Sequence, residues 1–152
     1  MARIFSLEGN IGSGKSTILQ KLEADGITVI QEPVDVWESI KDKEGETILS
    51  KFYRDQDKYA FPFQMMAYIS RLSLLKKCIE TNSNGVFLVE RSVFTDKYVF
   101  AQMLYDAGKI EDVNFKIYLK WFDEFIHDVP ISGFIYLKSS PEKCYERVIK
   151  RN

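Results

Sequence analysis

Apolar positions in this chain fall into short continuous runs and longer stretches of helical period, and the alternation of the two predicts the elements. A run at 3–7 predicts a first strand, and Ile18, Leu19 and Leu22 at helical spacing predict a helix over 16–24. After the Asp25-Gly26 turn, 27–30 reads as a second strand, so the chain opens as a βαβ unit. Pro33 stops that strand and leaves Glu32 at its carboxyl end. Residues 35–59 predict two short helices around a turn at 41–45, carrying Trp37, Phe52 and Tyr53. The longest helix is expected from Pro62 to Glu80, with proline in its first turn and Met65, Ile69, Leu72, Leu75 and Ile79 as the core stripe. Gln64, Tyr68 and Arg71 fall on another face, which fits either a ligand-facing surface or a solvated one.

A turn at 82–85 leads to the apolar run 86–89, the mark of a buried parallel strand, which ends in Glu90-Arg91-Ser92. Helices follow at 96–105, with Asp96 and Phe100 on one face, and at 111–127, where Phe115, Tyr118, Trp121, Phe122 and Phe125 are expected to pack. A fourth strand at 134–137 precedes Ser139, Ser140 and Pro141, which open a last helix through Ile149. Gly9, Glu32, Glu90 with Arg91, and Ser139 each follow a different strand, and in an open parallel sheet that edge is where ligands bind. No internal repeat, low-complexity tract or linker interrupts the 152 residues, so one domain over 1–152 is expected.

The glycine-rich segment changes the picture most. Gly9, Gly14, Lys15 and Ser16 satisfy G-x-x-x-x-G-K-[ST], with a strand before the motif and a helix after it. Gly9, Gly12 and Gly14 are expected to take positive φ, turning backbone N–H groups inward as an anion-binding nest at a helix N-terminus. Lys15 would carry positive charge to the outer phosphates, and the Ser16 hydroxyl would reach Mg²⁺. Glu90, at the carboxyl end of a buried strand, is a second candidate for organising that ion.

Charge and composition narrow the partner. The formal net charge is −1, from 21 basic and 22 acidic residues that are dispersed rather than clustered. No polyelectrolyte footprint for nucleic acid or an anionic membrane results, and a small-molecule partner is favoured. No apolar run approaches the roughly 20 residues that span a bilayer, and no signal-peptide pattern opens the chain, so a cytoplasmic location is expected. Cys78 and Cys144 lack C-x-x-C spacing and read as reduced packing thiols; the lone histidine, His127, reads as a capping or solvated residue.

Taken together, the motifs resemble the deoxyribonucleoside kinases. The resemblance covers nearly the whole chain: GluGlyAsnIleGlySerGlyLysSer at 8–16, GluProValAspValTrp at 32–37, PheTyrArgAsp at 52–55, PheProPheGln at 61–64, GluArgSerValPheThrAspLysTyr at 90–98, and IleTyrLeuLysSerSerProGluLysCysTyrGluArg at 135–147. It implies an α/β P-loop kinase fold, a parallel sheet with helices on both faces, and transfer of the γ-phosphate of ATP or another nucleoside triphosphate to the 5′-hydroxyl of a deoxynucleoside. Gly9, Asn10, Ile11, Gly12, Ser13, Gly14, Lys15, Ser16 and Thr17 would hold the donor phosphates, and Ser16 and Glu90 would organise Mg²⁺. Glu32 would be the general base, with Arg91 holding the hydroxyl oxygen. Phe63 and Phe100 would sandwich the base, Gln64 would bond its polar edge, and Trp37 would close a pocket that includes Phe52. Tyr53 would reach the 3′-hydroxyl.

Arg71 and Asp96 match a pair that reads the base edge in the deoxycytidine and purine branch, which points to a purine or cytosine deoxynucleoside; a structural ion pair is the alternative. Arg147 and Arg151 look like the first arginines of a lid over the phosphates. The family continues past this point with more lid, a fifth strand and terminal helices, so the chain reads as C-terminally incomplete and weak in turnover. A homodimer is also implied, with 60–80 and 96–127 as candidate surfaces. Two other readings stand beside this one: a thymidylate-type nucleoside-monophosphate kinase, and a catalytically dead nucleotide-binding or dimerisation module. Glu32-Pro33 and Glu90-Arg91-Ser92 argue against the first, because a monophosphate acceptor is already an anion and needs no carboxylate base.

Overall fold

A computed structural model describes residues 1–150. The contacts divide it into two compact units, the first made of Met1–Glu32, Ile79–Ser92 and the chain from Pro130 on, the second of Pro33–Cys78 and Val93–Val129.

The first unit is built on four parallel strands, β1 (Arg3–Glu8), β2 (Thr28–Ile30), β3 (Val86–Glu90) and β4 (Gly133–Tyr136), in the order β2-β3-β1-β4. β1 pairs with β3 from Arg3↔Val86 to Leu7↔Glu90, and on its other side with β4 from Phe5↔Gly133 to Glu8↔Tyr136. Register thus brings the ends of β1 and β3 level, which places the residues after them side by side. Leu7, Leu19 and Leu88 form the buried centre, with Phe5, Ile18, Leu22, Val29 and Leu137 packed around it. Helix α1 (Lys15–Ala24) starts directly from the glycine loop, and α8 (Pro141–Ile149) starts from Ser140, whose hydroxyl accepts the Lys143 N–H while Pro141 needs no partner for a missing donor. The four expected strands and the opening helix are all present.

The second unit is helical. Two short helices, α2 (Val34–Ser39) and α3 (Ile48–Arg54), flank the expected turn, which Asp42 organises by accepting the backbone N–H of Glu44 and Glu46. Thr47 caps α3 by accepting the Ser50 N–H. The long helix α4 runs Gln56–Thr81, so Pro62 lies inside it rather than in its first turn. Asp55 explains the earlier start: its side chain accepts the Lys58 N–H, an N-cap that overrides the expected boundary at the proline.

The core stripe of α4 also differs from expectation. Leu72 and Leu75 are buried, but Ile69 is 42% exposed, and Gln64, Tyr68 and Arg71 are buried instead. Those three are therefore not a solvated face. Tyr68 packs on Tyr118 and Phe122, with its hydroxyl donating to the Phe122 carbonyl oxygen at 3.2 Å, and Arg71 is neutralised by an ion pair, so polar tips are satisfied while their stems fill the core.

The helix expected at 96–105 is a composite of α5 (Val93–Thr95), a π-helical turn (Asp96–Ala101) and α6 (Gln102–Asp106). A π-turn widens the backbone, and such insertions are frequent at functional sites. α7 (Asp112–Phe125) buries Phe115, Tyr118 and Phe122 as expected, leaves Trp121 exposed and stacked on Phe125, and gives way to a 3₁₀ turn holding exposed His127. Cys144 is buried and Cys78 half-buried, both as free thiols, and burial pushes the Cys78 thiol pKa up. Among the described residues, no helix is long and apolar enough to cross a membrane.

Candidate active site

The first unit gathers its glycine loop and several charged side chains at the carboxyl ends of its strands. Gly12 and Gly14 take φ of 78° and 102°, the left-handed conformation the nest requires, and Gly14 is the N-cap of α1. Gly9 does not share that conformation. Its constraint is space: a Cβ there would lie 2.7 Å from Ser13 Oγ and 2.9 Å from the Leu137 carbonyl oxygen. The loop is closed by its own lysine. Lys15 Nζ donates to the carbonyl oxygens of Gly9 at 3.0 Å and Asn10 at 2.9 Å, and the Ser13 N–H returns to Asn10 O at 3.1 Å. Asn10 Oδ1 accepts the Ile11 N–H, while the side chains of Ile11 and Thr17 face solvent. Ser13 Oγ is buried and without a hydrogen-bond partner.

Lys15 is itself buried, and that burial pushes its pKa below the ordinary lysine value. The nearby Arg91 adds to the shift, while Glu90, Glu32 and Glu8 oppose it. Three carboxylates and two cations thus gather around the loop. Ser16 Oγ donates to Glu90 Oε1 at 3.1 Å, which brings together the two residues expected to organise a cation. Arg91 Nη1 donates to Glu32 Oε1 at 2.9 Å and Oε2 at 3.1 Å, so the expected base and its arginine meet across 59 positions of sequence. Arg147, on α8, donates from Nη1 to the carbonyl oxygens of Gly12 at 3.3 Å and Ser13 at 2.9 Å. Arg151 lies outside the described residues.

The second unit assembles an aromatic and ionic cluster. Phe63 stacks on Phe52 with centroids 4.6 Å apart and meets Trp37 edge-on at 5.4 Å. Trp37 is fixed by its indole N–H, which donates to Ser70 Oγ at 2.9 Å; Ser70 in turn donates to the α4 backbone. Gln64, the next residue on α4, is buried with Oε1 lacking a partner. Arg71 Nε donates to Asp96 Oδ2 at 2.8 Å, with both side chains only 4% exposed. Phe100 sits half-buried on the π-turn that carries Asp96. Tyr53 is 73% exposed and touches Phe52, so it stands at the surface of this cluster.

A family model described as deoxynucleoside kinase matches residues 5–152. This chain belongs to the deoxynucleoside kinase family. Among curated relatives it is 42% identical over 149 residues to a probable deoxycytidine kinase of fowlpox virus, covering 96% of this chain and 60% of that protein. It is 34% identical over 171 residues to deoxycytidine kinase 2 of Gallus gallus, covering 98% and 64%, and 32% identical over 151 residues to the mitochondrial thymidine kinase 2 of Homo sapiens, covering 97% and 55%. The chain therefore spans about three-fifths of the length of the curated relatives it matches. Membership in the deoxynucleoside kinase family accounts for the parallel α/β sheet and for the glycine loop at the end of β1.

Two relationships within this chain had no sequence signal strong enough to single them out. One is the grip of Arg147 on the glycine loop, which depends on α8 lying against it: a Cβ on Gly12 would come within 2.5 Å of the Cys144 carbonyl oxygen. The other is Glu8, whose place on the same strand face as Ser6 follows from the period of two, but whose third partner, Ser92, is 84 positions away.

Proposed function

We propose that this chain carries the phosphate- and acceptor-binding core of an enzyme that moves the γ-phosphoryl group of ATP to the 5′-hydroxyl of a deoxynucleoside, with a purine or cytosine base preferred. The observation that carries the reading is the Glu32–Arg91 pair in the same unit as the glycine loop. A hydroxyl is a poor nucleophile at neutral pH, and a carboxylate within hydrogen-bond reach takes its proton as the O–P bond forms. Arg91 holds Glu32 in place through its two hydrogen bonds, and its guanidinium charge stabilises the charge developing at the acceptor oxygen.

The other roles follow the same resemblance. Lys15 and the loop N–H groups bind the donor phosphates, and Arg147 orders the loop that does so. Hard oxygen donors at Ser16 and Glu90, already within hydrogen-bond distance, fit Mg²⁺, which when bound supplies charge neutralisation at the phosphates. Phe63, Phe52, Trp37 and Phe100 offer the base its apolar faces, Gln64 Oε1 is a buried acceptor for a base N–H, and Arg71 with Asp96 read the base edge. Tyr53 serves the sugar. Cytoplasmic salvage of deoxynucleosides by a homodimer is the setting we infer, and exposed Val99, Met103, Val113 and Ile117 support a contact surface on 96–127.

The test is transfer of labelled γ-phosphate from ATP to each of the four deoxynucleosides and to their 5′-monophosphates, with Glu32→Gln alongside. Transfer to deoxyadenosine, deoxyguanosine or deoxycytidine that is lost in Glu32→Gln is expected. Label moving to the monophosphates instead would establish the monophosphate-kinase reading, and tight nucleotide binding without any transfer would establish a dead binding module.

A further inference from the structure

We propose that Glu8 is a positioning residue whose carboxylate, through Ser92, locks the turn that aims Arg91 at Glu32. Glu8 ends β1, immediately before the glycine loop. Its Oε1 accepts the hydroxyl of Ser6 at 2.7 Å and that of Ser92 at 2.7 Å. Both serines are fully buried, and a carboxylate oxygen is a strong acceptor for a hydroxyl in that setting.

What that grip restrains is the residue between Glu90 and Ser92. Arg91 has φ of 60°, the one non-glycine residue with positive φ among the described residues. A side chain with a Cβ persists in that conformation only where its surroundings over-determine it. Here the surroundings are the last two residues of β1: the Arg91 N–H donates to the Leu7 carbonyl oxygen at 3.1 Å, and the Ser92 hydroxyl is tied to Glu8. The left-handed turn points the Arg91 guanidinium along the strand ends to Glu32. Freed at Ser92, residue 91 relaxes toward negative φ and its guanidinium leaves that direction. Leu7 and Glu8 on β1 and Glu32 after β2 thus hold the segment 90–92 as one assembly.

The functional half of this inference rests on the roles proposed above for Arg91 and Glu32, so two readouts are needed. The first is independent of catalysis. In ¹⁵N-arginine NMR of the whole chain, with the Arg91 signals assigned by Arg91→Lys, a locked guanidinium gives resolved, slowly exchanging Nη signals. Glu8→Ala and Ser92→Ala should each collapse them, whereas Glu8→Gln, which keeps an acceptor oxygen, should retain them. The second is kinetic. Glu8→Ala and Ser92→Ala should each lower kcat by about tenfold with KM for both substrates little changed, and the double variant should be no worse than either single one, because the two act as a unit. Glu8→Gln should recover most of the rate.

Unchanged Arg91 signals in both alanine variants, or losses that multiply in the double variant, would overturn the proposal. Collapse of the signals in a protein that phosphorylates no deoxynucleoside would uphold the positioning role and sink the functional reading instead. Should Glu8→Ala not fold, Ser92→Ala against Glu8→Gln makes the same comparison.

Discussion

Arg71 and Asp96 form a buried ion pair between α4 and the π-turn, Nε to Oδ2 at 2.8 Å and Nη2 to Oδ1 at 3.4 Å. Two ions out of water in that geometry are costly to separate, because removing one leaves the other charge buried without its counter-ion. Arg71→Met is expected to cost about 3–5 kcal/mol in urea unfolding, and the further change Asp96→Leu to restore most of that loss. Deoxynucleoside binding should not return with it. A double variant that regains both stability and binding would reduce the pair to a structural ion pair.

Gly12 and Gly26 offer a controlled comparison, because both have positive φ, 78° and 86°. A Cβ at Gly26 meets nothing within 4 Å, whereas at Gly12 it meets the Cys144 carbonyl oxygen at 2.5 Å. Gly26→Ala should carry only the conformational cost, about 1–2 kcal/mol. Gly12→Ala should cost more and also weaken triphosphate binding, since α8 must shift and Arg147 with it. Equal Tm losses and equal ATP affinities in the two variants would refute the packing argument.

Tyr68 makes stability depend on alkaline pH. Burial, with smaller contributions from Asp128, Asp123 and Asp96, raises its pKa to about 12. The unfolded chain ionises this phenol near the ordinary value of 10.0, so above that pH the unfolded state binds fewer protons and stability falls as pH rises toward the folded pKa. The slope from this one group is at most about 1.4 kcal/mol per pH unit. Tyr118, pushed up still further by burial, steepens the fall in the same direction. Tyr68→Phe should lose about 1 kcal/mol at neutral pH with its hydrogen bond to Phe122, yet show a shallower decline in urea midpoint above about pH 10. Parallel declines in the two proteins would assign the alkaline loss elsewhere.

Legibility tracked the range of the interactions. The glycine loop, the strand before it and the helix after it were readable because turn chemistry and apolar period act within a few residues, and the same holds for the Ser140-Pro141 start of α8. The start of α4 was misplaced because proline is the louder local signal, while the Asp55 cap works through one side-chain contact. Period separates the faces of α4, but ranking them by hydrophobicity assigns the core stripe only in part. An isoleucine outranks a glutamine and an arginine in hydrophobicity, yet Ile69 is exposed and Gln64 and Arg71 are buried, because Asp96 neutralises the arginine from another element.

By itself, then, the sequence determined that a glycine-rich loop of the G-x-x-x-x-G-K-[ST] pattern follows the first strand, that four apolar runs make a parallel sheet, and which family those motifs resemble. Only the tertiary structure decided which side chains meet. Ser16 finds Glu90 across 74 positions, Arg91 finds Glu32 across 59, and Ser92 finds Glu8 across 84, all set by the order β2-β3-β1-β4. Strand order is fixed by the burial of whole faces against one another, a property no short window of sequence carries, and that order sets Leu7 and Glu8 beside the left-handed turn at Arg91.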